Sequence, residues 1–503
     1  MKTIIKLGYV LICFIFIHPF TISAQMNLEN RIEIELKDGY RNETIYKSST
    51  GYFILEAEAI KSKNGFTEIK YDQYDGNLQK TGTESAQIAE NLTQSLSYND
   101  DTCIYRLYRS KDNYLMLIVR ISDLNIRKIQ GTLLKGIYVS EMGVVGSKAW
   151  FQGKVKHKSC LVQIDLNTGK CQISEFIEKR WNKNTRIVNF QMDPKTNELQ
   201  VFLNSHLSSQ QYQLSQVRVN RSCELCENVQ LTGANDKIIT SVSGYDISSD
   251  KTVYTGTYSD NSASRSIGLF FAEGNGSKLS FINYINFLDL KNFLSYMTER
   301  QQNKIEKKKA RKKAEGKDFS INYYIASHDI IVLPDGYLLI GEAYYPTYRT
   351  TTYTTYSYSN GMSMPTTHVT MSFDGYQYTH AFVARFSATG KLLWDQCFEM
   401  FPFEKPYYVK KFIQVSQQQD EIGLVFASRS QLVSKAINFD GTIQKDETRE
   451  LILSGNENEK TGWTYSTADY WFGNNFLVYG TQKVINTDSK DKRKVFFVNK
   501  VTY

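Results

Sequence analysis

Short apolar runs separated by polar turns recur along the whole chain. Eight of them are alike: GYFILEAEAI from Gly51, KDNYLMLIVRI from Lys111, GSKAWFQGKV from Gly146, NELQVFLNSHL from Asn197, DKTVYTGTY from Asp250, DGYLLIGEAYY from Asp335, DEIGLVFASR from Asp420 and WFGNNFLVYG from Trp471. Each follows turn-forming Gly, Asp, Asn, Lys or Ser, as a hairpin requires, and each reads as the second strand of a repeated unit. The starts lie 35 to 60 residues apart, except for two intervals of 85 that contain insertions. A four-stranded propeller blade takes roughly 40–50 residues. The pattern therefore predicts an all-β chain forming a single β-propeller of eight blades. Seven follow if the short interval between Lys111 and Gly146 hides only one blade. An open β-solenoid and two β-sandwiches are the competing arrangements.

A third strand and turn recur as IKYDQYDGNLQ, VQIDLNTGKCQ, ARFSATGKLLW and KAINFDGTIQK. Gly76, Gly169, Gly390 and Gly441 are expected at positive φ in the turn between strands three and four. The last unit ends in VFFVNKVTY, one strand short, while RIEIEL at 31–36 alternates polar and apolar residues ahead of the first unit. An N-terminal strand completing the last blade would close the ring and remove exposed sheet edges. Composition agrees with strands: 34 Tyr and 28 Phe against 7 Pro.

Residues 1–24 read as a secretory leader. Lys2 and Lys6 precede an apolar run at 7–20, and Ala24 suits a cleavage point. The chain is thus expected to be exported, to the periplasm, the cell surface or the medium. Residues 25–503 form the propeller, and no second apolar stretch is long enough to span a membrane. The net charge of +8 has a local origin: residues 304–317 hold eight Lys/Arg and two Glu, and two more Lys lie in the leader. The remainder balances, so a nucleic-acid partner is not expected.

The two long intervals hold the insertions. In 289–317, Leu290, Phe293, Leu294 and Met297 mark an apolar helix face, with Asp289 as N-cap and Gly316 as terminator. The second half is a basic helix in which Lys307, Lys308, Arg311 and Lys312 are candidates for contact with an anionic surface; a solvated helix with no partner is the alternative. Residues 344–379 hold eight Tyr and ten Thr, which predicts a long hairpin or a mobile loop turning at Ser359-Asn360-Gly361. Tyr345, Tyr348, Tyr353, Tyr356 and Tyr358 are its candidate ligand-binding side chains, because Tyr joins apolar area to a polar tip.

Chemistry is sparse. Cys223 and Cys226 form a lone C-x-x-C, lacking the second ligand pair of a zinc site and the helix of a redox site; a hairpin-tip disulfide is the plain reading. His157, His206, His328, His368 and His380 make no ligand pattern, although His368 and His380 are placed to face each other across the Tyr/Thr hairpin. No nucleophile elbow or P-loop occurs, and no catalytic residue, metal or cofactor is assigned. Carboxylates paired from distant segments, as in glycosidases, leave no trace in a sequence.

The repeats resemble secreted β-propeller proteins. The unit at 335–399, with DGYLLIGEAYY and HAFVARFSATGKLLWDQCFE, is similar to repeats of the delta-60 and quinoprotein-like propeller groups. Only Gly390-Lys391-Leu392-Leu393-Trp394 matches the G-x-x-x-W of quinoprotein dehydrogenases, so their cofactor does not follow. The expectation is a non-enzymatic binding or scaffolding protein of the cell envelope or exterior, taking a glycan, a protein or an anionic surface. The alternative is a polysaccharide hydrolase or lyase working at the mouth of the channel.

Overall fold

Apolar runs of this density need cover on both sides, and the folded chain supplies it by repetition. The structure, a computed structural model, describes residues 26–36, 40–59, 64–156, 158–174, 185–193, 196–208, 211–231, 237–275, 278–359, 361–418 and 420–502. The leader segment and His157 lie outside the described residues. About 68% is strand and 4% helix. Eight antiparallel sheets follow one another, at 40–89, 93–132, 138–173, 185–231, 238–286, 324–399, 414–451 and 459–502. Seven are four-stranded and the sixth carries a fifth strand, Ile331–Leu333. Serial four-stranded meanders of this kind are the units of β-propellers.

The strand beginning near Lys111 is placed differently from the sequence reading. It is Asn113–Arg120, the third strand of the second sheet; the second strand is Cys103–Ser110. Both central strands are buried along most of their length, so both read as apolar runs and periodicity could not rank them. The short spacing to Gly146 follows from that slip. Gly169, Gly390 and Gly441 have positive φ as expected, but in the first sheet Leu78, not Gly76, takes the left-handed conformation (φ +61°).

The eighth sheet takes its outer strand from the other end of the chain. Asn27–Glu35 pairs antiparallel with Lys492–Thr502, from Asn27 opposite Thr502 to Glu35 opposite Val495. Its alternation divides two environments. Ile32 and Ile34 pack into an apolar cluster with Phe53, Leu55, Trp471, Leu477 and Val498. Arg31 and Glu33 form a polar network on the opposite face: Arg31 Nη1 donates to Asn499 (3.1 Å), Nη2 to Gln482 (2.8 Å), and its guanidinium lies 4.7 Å from the Phe497 ring.

Seven apolar clusters lie between the sheets. They join first to second, second through fourth, fourth to fifth, fifth to sixth, sixth to seventh, seventh to eighth, and eighth to first. Polar ties reinforce the seams. Arg106 pairs with Glu56 and donates to Tyr46 Oη (2.8 Å) between the first two sheets, and Arg218 pairs with Asp246 (2.8 Å) between the fourth and fifth.

Phe53 is fully buried where the first and eighth sheets meet, stacked on Tyr74 at 4.9 Å and edge-on to Trp471 at 5.7 Å. Phe53→Ala is expected to cost about 3–5 kcal/mol, the usual range for a buried Phe. Denaturant unfolding of the variant measures it; a loss below about 1 kcal/mol would mean that this seam is not packed.

Candidate functional site

Antiparallel order fixes which connections share an end of a sheet. In the sixth sheet the entry segment at 287–323, the turn between the second and third strands, and the exit segment at 400–413 all emerge at one end. These three segments hold both insertions.

The Tyr/Thr insertion is a hairpin that prolongs the strands Gly336–Ser359 and Met362–Ser387. Pairing runs on to Ser359 opposite Met362. The flanking strands reach only Tyr344 and His380, so beyond them the hairpin is a two-stranded ribbon. From Tyr348 outward it extends roughly 35–40 Å. Register sorts its faces. Tyr348, Tyr356 and Tyr358 share one face with Phe373, Met371, Val369 and Pro365. Tyr353 lies on the other, stacked on His368, whose Nε2 is 2.7 Å from Thr355 Oγ1. Tyr345 sits at the base, opposite Gln377. All five tyrosines are exposed, as are Val369 and Met371. His368 and His380 do not face each other: they lie on the same strand, opposite Tyr353 and Ala343. Strand pairing across a turn, not nearness to it, decides such partners.

The apolar face is continuous with the core. Phe412, Tyr378, Tyr344, Tyr376, Phe373 and Tyr348 form a chain of ring contacts with centroids 4.9 to 6.0 Å apart. A bulge at the base redirects the ribbon, with Thr347 donating to the Gly375 carbonyl (2.8 Å). Gly375 has φ +89°, and a Cβ there would lie 2.3 Å from the Lys405 carbonyl oxygen, so only glycine fits.

The exit segment packs beside this base. Tyr376 N–H donates to the Pro406 carbonyl (2.9 Å), and Phe373 meets Tyr407 edge-on at 5.8 Å. Its far end is held by the fully buried Glu342 carboxylate, which accepts from Phe412 N–H (3.0 Å) and Ile413 N–H (2.9 Å) and lies 2.7 Å from His328 Nε2. Along this segment Phe401, Phe403, Tyr407, Tyr408 and Val409 are exposed. Phe403 borders a 440 Å³ pocket between the seventh and eighth sheets, with Tyr465, Arg429, Lys410 and Glu404 around it. The sequence reading missed this surface. Its signal was the string FPFEKPYYVKK at 401–411, aromatic and basic residues crowded between two strands.

The entry segment departs from expectation. Its α-helix is Glu299–Ala314, capped by Thr298, whose N–H donates to Gln301 Oε1 (3.0 Å). Asp289 instead ends the 3-10 turn Phe287–Asp289. Leu290 and Phe293 are buried before the helix begins, because the segment wraps the sheet: Asp395 accepts from the backbone N–H of Lys291 (2.8 Å) and Asn292 (2.7 Å). Behind it Tyr296 stacks on His380 at 3.8 Å, and burial pushes the His380 imidazole down to about 3 and keeps it neutral. Gly316 terminates the helix at φ +66°, with Lys317 and Gly316 N–H donating back to Lys312 and Lys313. No helix residue is buried. Lys312 and Arg311 approach Glu315 at 3.0 and 3.9 Å, Lys308 lies 4.9 Å from the Phe319 ring, and Lys307 has no ion-pair partner among the described residues.

Cys223 is a buried free thiol, 2.9 Å from the Val145 carbonyl; the Cys226 side chain lies outside the described residues. Among the described residues no three His, Cys, Asp or Glu gather as a metal site, and no helix is long and apolar enough to cross a membrane. Glu141, on the first strand of the third sheet, is solvent-exposed, yet desolvation by surrounding protein raises its carboxyl pKa. Lys411, from the connection into the seventh sheet, opposes the shift and lies 4.0 Å from Asp329 of the sixth. Segments far apart in the chain thus face a common space.

No protein-family model matches the sequence, and no curated protein matches it. Solved structures similar to the chain include the Dos1 propeller (9% identity, TM-score 0.36, 95% of each chain) and the propeller domain of the Trilobed protease from Pyrococcus furiosus (10%, 0.33, 81% of this chain and 94% of that one). Polysaccharide lyase Uly1 is another (10%, 0.35, 94% and 99%). The chain spans 54% of the length of a prolyl endopeptidase it also resembles (8%, 0.38). At these scores the likeness bears on neither activity nor ligand.

Because its folded pKa is raised, Glu141 favours the native state when protonated. Its contribution is present at acidic pH and is lost as pH rises through the folded value. Glu141→Gln is therefore expected to be more stable than the parent at neutral pH and indistinguishable below the ordinary carboxylate range. Denaturant midpoints against pH measure this; equal midpoints at every pH would contradict it.

Proposed function

We propose that the chain is an exported, non-enzymatic binding or scaffolding protein of the cell envelope or exterior, built as a single eight-bladed propeller. In this reading the eight sheets are the blades, and the N-terminal strand closes the ring. The apolar clusters joining every successive pair of sheets, including the last with the first, support it. The kinship of the unit at 335–399 to delta-60 and quinoprotein-like repeats belongs to the same reading.

The observation that carries the function is the exposed apolar face of the ribbon. A bare two-stranded ribbon is marginal in water, and a contiguous exposed apolar face marks an interaction site. Tyr348, Tyr356, Tyr358, Met371 and Val369 offer contact area that no other part of the described chain covers. The exposed aromatic residues of 401–409 continue it, and the basic helix enters at the same end of the sheet. The contact surface is therefore composite: aromatic along the ribbon and exit segment, cationic along the helix. A glycan, an envelope protein and an anionic surface all fit it.

A second reading has its own observation. Desolvation raises the Glu141 carboxyl pKa, as a general acid requires, and the opposing Lys411 lies 4.0 Å from Asp329. That arrangement supports polysaccharide cleavage at the channel mouth. Loss of depolymerising activity in Glu141→Gln would favour it.

Replacing residues 348–373 with a short turn tests the binding reading. The expected result is an unchanged melting temperature, since the ribbon adds little to the core, and loss of capture on glycan arrays and from envelope extracts. Capture that survives the deletion would reject the ribbon's role.

A further inference from the structure

The pocket between the seventh and eighth sheets opens onto a strip of three exposed aromatic residues. Phe403 and Tyr465 have ring centroids 5.6 Å apart, and Tyr465 and Trp463 follow at 6.0 Å. A cation stands at each end. The Arg429 guanidinium lies 4.1 Å from the Phe403 ring, and Lys494 Nζ lies 5.7 Å from that of Trp463. Neither cation has an ion-pair partner among the described residues. The acid lining the pocket, Glu404, is engaged by Lys410 at 3.3 Å, so the strip keeps an excess of positive charge. Thr467, Thr481 and Tyr465 also line the pocket.

We infer that this strip is a subsite for an acidic polysaccharide, with a sugar ring over Tyr465 and its carboxylate on Arg429. The inference rests on the binding reading above and names the ligand class for one part of that surface. Three features carry it. Aromatic faces take the C–H faces of a sugar ring. A planar guanidinium matches a carboxylate in a bidentate fork, and its stacking on Phe403 pre-organises it. Hydroxyl-bearing side chains in the pocket lining suit the hydroxyls of a pyranose. Single-stranded nucleic acid also needs aromatic residues and cations, but the rings here are tilted by 54° and 72° and offer no parallel platform for successive bases.

The test is calorimetry on the full chain with hexamers of galacturonate, of galactose and of deoxythymidylate. The uronate hexamer is expected to bind, and the neutral hexamer at least tenfold more weakly. Arg429→Gln should weaken uronate binding by more than about tenfold, the low end for a charge-assisted hydrogen bond, and leave galactose binding unchanged. Tyr465→Ala should weaken both. Arg429 and Tyr465 are exposed, so folding is expected to survive, and a melting curve checks it. Equal affinity for acidic and neutral sugars, no response to Arg429→Gln, or binding of the nucleotide hexamer alone would overturn the inference. If no sugar binds while ribbon-dependent capture persists, the subsite falls and the binding reading stands; if both are absent, both fall.

Discussion

A four-stranded sheet with two apolar faces cannot stand alone in water, and this requirement organises the molecule. Each sheet needs a neighbour on both sides. In an open row the first and last sheets would each leave a face uncovered. Here Phe53 and Leu55 of the first sheet pack with Leu477, Phe496 and Val498 of the last, and Ile32 and Ile34 join them from a strand 460 residues upstream of its partner. The same strand covers the edge of Lys492–Thr502, which would otherwise offer unpaired backbone to another chain.

This frame explains why the chain can carry large insertions. The core is closed by the sheets and the bases of the connections, with Phe287 and Phe293 of the entry segment and Phe412 and Ile413 of the exit segment buried in it, so a ribbon, a helix and an aromatic loop can project beyond those bases. Their bases are nonetheless fixed. Glu342 and Tyr378 hold the exit segment, Asp395 holds the entry segment, and the Gly375 bulge sets the ribbon's direction. Rigid bases with exposed tips suit a binding surface, because little order is lost on contact.

Much of the frame was legible in the sequence. Strand patterns and turn glycines marked seven of the eight second strands, and the alternation of RIEIEL marked the N-terminal strand. The second sheet was misjudged because two buried central strands have the same apolar signature. The helix start was misplaced because Leu290, Phe293, Leu294 and Met297 keep helical spacing in a segment that wraps the sheet instead. The ribbon's residues were legible, but its two faces depend on a register set by the bulge. The strip of Phe403, Tyr465 and Trp463 was not read from the sequence: Trp463 and Tyr465 alternate on one strand of the eighth sheet, Phe403 comes from the segment between the sixth and seventh, and only folding brings them and Arg429 together.

The most direct test of the central claim is thermal unfolding of a chain lacking residues 26–36. The account predicts a fall in midpoint of many degrees and concentration-dependent association through the uncovered edge of Lys492–Thr502. A monomer that melts at the parent temperature would contradict it.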